Sequence, residues 1–190
     1  MLERLTDAEL VRRARHDDPA AWRALVRRHT PMVYRLALRT LRNPADAEDT
    51  TQEVFLKMNK YLDSYDPTRP LPPWLGRITW HTCLRRLGER RPEHDELGDA
   101  YAIMDPRDDA SPESNLASRE AERLLVAALD KLPAQDRFLI DLRYREGQSD
   151  VEVADATGMN VNTVRTRLFR ARQALKKWLS PVLGKTEETP

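Results

Sequence analysis

Apolar residues recur at helical spacing along most of the chain and almost nowhere alternate as they would in a strand, which predicts an all-α fold. Near the start, Thr6 and Glu9 have capping-box spacing. Leu5, Leu10, Val11, Trp22, Leu25, Val26, Val33, Leu36 and Leu38 then mark two helices broken near Asp17-Asp18-Pro19. Asn43-Pro44 opens a third helix with two unlike faces. Asp46, Asp49 and Glu53 project on one, beside Gln52, while Thr51, Val54, Phe55, Met58 and Leu62 occupy the other. Late in the chain, SDVEVADATGMNVNTVRTRLFRAR (Ser149 to Arg172) reads as two helices about a tight turn. Ser149 and Glu152 have the spacing to cap the first, on which Val151 and Ala154 recur at helical spacing. Gly158 can take the left-handed conformation that ends it, and Asn160 can cap the next. On the second helix, Val161, Val164, Leu168, Ala171, Leu175 and Leu179 form one stripe at about 100° per residue.

The face opposite that stripe carries Asn162, Thr163, Thr166, Phe169 and Arg170, flanked by Arg165, Arg167 and Arg172. Guanidinium forks suit phosphates and guanine edges, and threonine offers a hydroxyl and a methyl. An outward phenyl ring can meet a thymine methyl. An arginine-rich helix is commonly only a solvated face. Here the capped helix and tight turn before it, with Phe169 on the wrong side for packing, point to duplex DNA.

Charge divides the chain. Residues 1–91 carry eighteen Lys and Arg against twelve Asp and Glu, residues 92–118 one against eight, and residues 119–190 thirteen against eleven, so a net charge of +1 conceals two basic lobes and an acidic strap. The strap has three prolines and little apolar periodicity, which predicts a flexible linker between two small helical domains. It could also lie across a basic surface and compete with DNA, in which case deleting Asp95 to Asp109 should tighten DNA binding. The units expected are residues 1–92, the linker 93–117, a second domain 118–180 and a tail 181–190.

One segment between the acidic helix and the strap mixes arginines with flat rings. Arg69, Arg77, Arg85, Arg86, Arg90 and Arg91 can follow a phosphate backbone, and Tyr65, Trp74, Trp80 and His81 could stack on unpaired bases. Trp74, with Leu75 and Ile78, reads as core. Trp80 and His81, with Thr79 and Thr82 beside them, read as presented from a loop, and four prolines interrupt the chain before Trp74.

Other chemistry finds little support. There is no glycine-rich phosphate loop and no nucleophile with an evident base, so an enzyme is not expected, nor a cofactor. His81 and Cys83 lack a second pair of ligands, and His16, His29 and His94 add no metal-binding spacing. The single cysteine forms no internal disulfide, no apolar run approaches the length of a membrane span, and Asp7, Glu9, Arg12 and Arg13 interrupt any signal-peptide core. The expected location is cytoplasmic.

The order of these features resembles the small extracytoplasmic-function group of bacterial RNA polymerase sigma factors over nearly the whole chain. DAEDTTQEVFLKM (Asp46 to Met58) is similar to that family's polymerase-clamp-binding segment. WLGRITWHTCLRR (Trp74 to Arg86) is similar to its segment for the melted downstream, minus-10 element, and Leu132 to Arg172 to its module for the upstream, minus-35 element. The resemblance implies that residues 1–92 are sigma region 2 and 118–180 region 4. It implies that Asp46, Asp49, Gln52 and Glu53 engage the clamp coiled coil of core RNA polymerase, with region 4 near the flap. Asn162, Thr163, Arg165, Thr166, Arg167, Phe169 and Arg170 would then read duplex promoter DNA, and Arg77, Trp80, His81, Thr82, Arg85 and Arg86 the opened strand. His81 stands where many relatives use Asn to hold a flipped base, which leaves the preferred base open. The resemblance further implies an anti-sigma factor, often membrane-bound, so that the chain is held at the inner membrane when inactive and is nucleoid-associated when active. No small-molecule substrate is implied. The competing reading is a helix-turn-helix repressor or activator that works without polymerase; it accounts for the C-terminal unit but not for the acidic helix or the Arg/Trp segment.

Overall fold

A computed structural model describes residues 2–89 and 116–183, all helices and turns among them. Most of the expected linker and of the tail, with Arg90 and Arg91, lies outside the described residues, and so does the idea that the strap covers a basic surface; the last two linker positions, Leu116 and Ala117, begin a helix.

Helix α1 (Asp7–Ala14) starts where Thr6 and Glu9 cap each other: the Thr6 amide donates to the Glu9 carboxylate at 2.8 Å, and the Glu9 amide donates to the Thr6 hydroxyl at 3.3 Å. The chain turns at Asp17, whose φ is 56°, and Asp18 caps α2 (Pro19–Leu41) with Pro19 in its first turn. Arg42 ends α2 in the left-handed conformation. Asn43 then caps α3 (Pro44–Tyr61) by accepting from the Asp46 amide at 3.1 Å. Each break thus falls where the sequence places it.

Prolines have a different effect from the one expected. Pro72 and Pro73 fall in the first turn of α4 (Leu71–Glu89), where a missing amide proton leaves no hydrogen bond unmade, so they start a helix. That helix runs unbroken through Thr79, Trp80, His81 and Thr82. The expected loop is therefore absent, because nothing between Trp74 and Arg86 breaks helical geometry.

The second half comprises α5 (Leu116–Asp130), α6 (Ala134–Ile140), a π-helical turn (Asp141–Arg145), α7 (Asp150–Thr157) and α8 (Val161–Leu183). The two halves do not stand apart. Helix α4 packs along α7 and α2 along α6, and one apolar core runs from Leu10 and Leu25 through Leu75 and Trp80 to Phe138, Leu142, Val153 and Leu168. Gly76 lies at a close approach of the halves: a Cβ there would lie 3.3 Å from Leu142 Cδ2 and 3.8 Å from Ala156 Cβ. This seam sandwiches the end of α2, which explains why every residue from Arg35 to Leu41 is buried.

Candidate nucleic-acid interface

The helix-turn-helix forms as its sequence dictates. The Ser149 amide donates to the Glu152 carboxylate at 2.7 Å, a bond that with the Ser149 hydroxyl holds Glu152 below the usual carboxylate range, and the Glu152 amide returns one to Ser149 Oγ at 3.2 Å. Gly158 ends α7 at φ 69°, and Asn160 Oδ1 accepts from the Asn162 amide at 2.9 Å. One core position moves: Val151 is 61% exposed, while Val153 and Ala156 on the inward face are buried. On α8, Val164, Leu168 and Ala171 are buried, and Asn162, Thr163, Arg165, Thr166, Phe169 and Arg170 are exposed on the other side. Phe169 is 54% exposed, an unusual place for a phenyl ring. Asp150 holds two arginines, accepting from Arg143 Nε at 3.0 Å and Arg165 Nε at 3.3 Å. Arg167 turns to the flank instead and pairs with Asp136 at 2.9 Å.

On the first half, the acidic side of α3 lies beside the basic end of α4. Arg86 sits 3.5 Å from Asp46, 3.6 Å from Asp49 and 3.9 Å from Glu53; Arg85 pairs with Glu53 at 2.5 Å and Glu89 at 2.7 Å. Burial raises the Glu53 carboxyl, but hydrogen bonds from Lys57 and Arg85 outweigh it and hold the group ionised. Asp49 and Gln52 remain exposed. Next to them Leu56 is 71% exposed and Tyr61 48% exposed, an apolar margin that the polar pattern of the face did not disclose.

The strand-contacting set expected on α4 divides into exposed and buried members. Arg77, His81 and Arg85 are exposed and Arg86 is half-buried. Burial lowers the His81 pKa, reinforced by Arg77 and Lys57, so its imidazole is neutral at neutral pH and offers one donor and one acceptor. Trp80 and Thr82 are corrections: neither is presented, because helical phase turns both inward. Trp80 is 2% exposed and Thr82 is fully buried, its hydroxyl donating to the Ile78 carbonyl at 2.8 Å and accepting from Lys57 Nζ at 3.0 Å. Tyr65 is also buried, tilted against Trp74 with ring centroids 4.9 Å apart.

What covers Trp80 is the other half of the chain. Its ring lies 4.8 Å from that of Phe138. Around this pair, Arg35 meets Glu146 at 2.5 Å and Arg39 meets Asp141 at 2.8 Å, all four side chains less than a tenth exposed. Arg137 bridges, donating to the Leu132 carbonyl at 2.9 Å and across the seam to that of Thr40 at 3.4 Å. Burial pushes the Asp141 carboxyl up to about 6 although Arg39 and Arg145 pull it down. The seam is imperfectly satisfied: Nε of Arg39 and of Arg137 and both amide atoms of Gln148 are buried with no hydrogen-bond partner among the described residues. None of these residues was singled out from sequence. A signal was available, since Arg35 and Arg39 interrupt the apolar run Val33–Leu41, and Asp141 interrupts Phe138–Leu142, as buried paired charges do.

The Sigma-70 region 2 family matches residues 25–93, and the Sigma-70, region 4 family matches residues 122–175. An ECF RNA polymerase sigma-E factor of Haemophilus influenzae is 34% identical over 191 residues, covering 96% of this chain and 100% of that protein. The chain belongs to the ECF RNA polymerase sigma factors. Another relative, ECF RNA polymerase sigma factor SigE of Mycolicibacterium smegmatis, is 37% identical over 89% of this chain, which spans 65% of that relative's length. The sigma-E factor of Escherichia coli K12 is 32% identical over 96% of this chain. A solved structure of CnrH in complex with the cytosolic domain of CnrY superimposes with a TM-score of 0.66 at 26% identity, covering 93% of this chain and 98% of CnrH. The sigma factor RpoE in complex with the anti-sigma factor NepR, from Bartonella quintana, shares the fold with a TM-score of 0.61 at 24% identity over 82% of this chain and 92% of RpoE. In this sigma factor the first half carries region 2 and the second half, α5 to α8, carries region 4. Among its described residues no helix is long and apolar enough to cross a membrane, and no three His, Cys, Asp or Glu side chains gather as a metal set.

Proposed function

We propose that this sigma factor binds core RNA polymerase through the Asp46, Asp49, Gln52 and Glu53 face of α3, reads the minus-35 element with α8 and captures the opened minus-10 strand with region 2. The presented face of α8 carries this reading: Thr166, Phe169 and Arg170 stand exposed, on a helix whose other side buries Val164, Leu168 and Ala171 in the core. Arg165 joins them, and Arg167 serves the flank. On α4, His81 receives a base flipped from the non-template strand, with Arg77, Arg85 and Arg86 along the phosphates. Melting exposes the base edge that the duplex hides, and binding it offsets an unpairing cost of a few kcal/mol. Promoter opening is a population shift and needs no nucleotide hydrolysis by this chain.

Reach requires the seam to open. The names of the two elements place them about 25 base pairs apart, on the order of 85 Å at about 3.4 Å per pair. A compact chain of this length has a radius of gyration of only about 16 Å. Region 2 and region 4 therefore cannot sit on both elements while Trp80 lies on Phe138. Polymerase supplies two separate mounting points and so favours the open form. An anti-sigma factor, as in the RpoE–NepR complex, would favour an inactive form of the chain, whether free in the cytoplasm or held at the membrane.

The discriminating experiment measures binding to labelled promoter duplex with and without core polymerase. This reading predicts tight, sequence-specific binding only with core. A chain that binds its duplex site equally well alone is a free-standing repressor or activator.

A further inference from the structure

We propose that Asp150 is a positioning residue for promoter reading: its carboxylate holds Arg165 so that the end of the guanidinium faces the major groove, and Arg165 thereby selects a guanine in the minus-35 element. The inference rests on the reading of α8 as the minus-35 helix, and it names a residue of α7, outside that helix, that sets which base is chosen.

Asp150 is the first residue of α7, and Arg165 lies near the N-terminal end of α8, the part of a recognition helix that reaches base edges. The tight turn at Gly158 folds the two helices together, and Arg165 Nε donates to Asp150 Oδ2 at 3.3 Å. The carboxylate is itself held. Its other oxygen accepts from Arg143 Nε at 3.0 Å, while Arg143 Nη1 donates to the Gln148 carbonyl at 3.1 Å. A chain of bonds thus runs from the backbone through Arg143 and Asp150 to Arg165. Arg170, on the same face of α8, has no carboxylate partner among the described residues.

The bond to Asp150 engages Nε and leaves the terminal pair, Nη1 and Nη2, without a partner among the described residues, on a side chain that is 60% exposed. Guanine sets O6 and N7 side by side as two acceptors that match this fork. Adenine puts an N–H donor beside N7, and neither pyrimidine offers two adjacent acceptors in the major groove. An unrestrained arginine serves a phosphate equally well. Asp150 opposes that choice, because its negative charge beside the guanidinium repels a phosphate. A side chain held before binding also gives up less rotamer freedom on docking.

The test uses holoenzyme made from the full chain and core polymerase, on duplex promoter DNA whose minus-35 element is mapped by run-off transcription, with each base pair of the element exchanged in turn. Wild-type holoenzyme should favour guanine at one pair or more by about tenfold. At one such pair, both Arg165→Ala and Asp150→Ala should erase the preference. Adding Asp150→Ala to Arg165→Ala should change it no further, as expected of two residues that act through one contact. Replacing that guanine by 7-deazaguanine, which lacks N7, should weaken wild-type binding several-fold and leave both variants unaffected. A merely structural role for Asp150 cannot produce this pattern, because a smaller folded fraction lowers the affinity for every sequence alike. Preserved discrimination in Asp150→Ala overturns the positioning role. So does a uniform loss in Arg165→Ala with the slope of log affinity against log salt lowered by about 0.9, the mark of a phosphate contact. Arg170→Ala and Phe169→Ala separate this from the wider reading. If either weakens minus-35 binding while the Asp150 and Arg165 variants behave as wild type, only the role of this pair fails; if all four bind as wild type, reading by α8 fails as a whole.

Discussion

Trp80 of region 2 and Phe138 of region 4 pack ring against ring with centroids 4.8 Å apart, although 58 positions separate them in the chain. Phe138 is fully buried, so Phe138→Ala leaves a cavity with little capacity to close. It should cost about 3–5 kcal/mol of unfolding free energy in chemical denaturation. Phe169→Ala, removing the same side chain from an exposed face, should change stability by less than about 0.5 kcal/mol while weakening minus-35 binding by the holoenzyme. Equal losses of stability would contradict the division of α8 into a core side and a reading side.

Acidification should favour the closed form. Asp141 has a carboxyl pushed from an ordinary 3.8 up to about 6 by burial in the seam, so the closed chain binds its proton more tightly than the open one. The closing contribution is complete below the ordinary value and is lost as pH rises through about 6. Small-angle scattering should show a larger radius of gyration at about pH 8 than at about pH 5, and Asp141→Asn should flatten the difference. A size independent of pH, with the chain folded throughout, would contradict the sign.

Cys83 should be inert. It is fully buried among Ala37, Leu38, Leu41 and Ala47, and burial pushes its thiol up to about 12. Alkylation at neutral pH should label it only after unfolding. Rapid labelling of the native chain would show that the end of α4 does not pack against α2 as described.

The helix-turn-helix caps should be separable from its DNA contacts. Ser149→Ala removes one half of a reciprocal pair of hydrogen bonds and should cost about 1 kcal/mol of stability, with holoenzyme affinity for the minus-35 element unchanged under conditions where the variant is folded. A loss of affinity without a loss of stability would place Ser149 at the DNA.

Local structure was legible in the sequence wherever a chemical rule acts within a few residues. Thr6 with Glu9, Asn43 with Pro44, Ser149 with Glu152, and Gly158 set helix ends by themselves, and the α8 stripe declared its buried side. The loop expected around Trp80 does not form, because no residue from Trp74 to Arg86 breaks helical geometry; Pro72 and Pro73 lie before it in the first turn of α4, where they are favoured. Trp80 and Thr82 face inward for a related reason: aromatic and basic residues interleaved along a segment suggest presentation, whereas phase on a continuous helix decides which of them face outward. Helical phase puts His81 out and its two neighbours in. The seam was illegible in a deeper sense. Arg35 and Glu146 are 111 positions apart, and nothing local tells a buried arginine which distant carboxylate it will meet.

The most direct test is run-off transcription on sheared genomic DNA with core polymerase, with and without this chain. Transcripts that appear only with the chain, share two upstream sequence elements and vanish with His81→Ala, while that variant still binds polymerase, are the predicted result. If core polymerase neither binds the chain nor starts new transcripts in its presence, the account is contradicted.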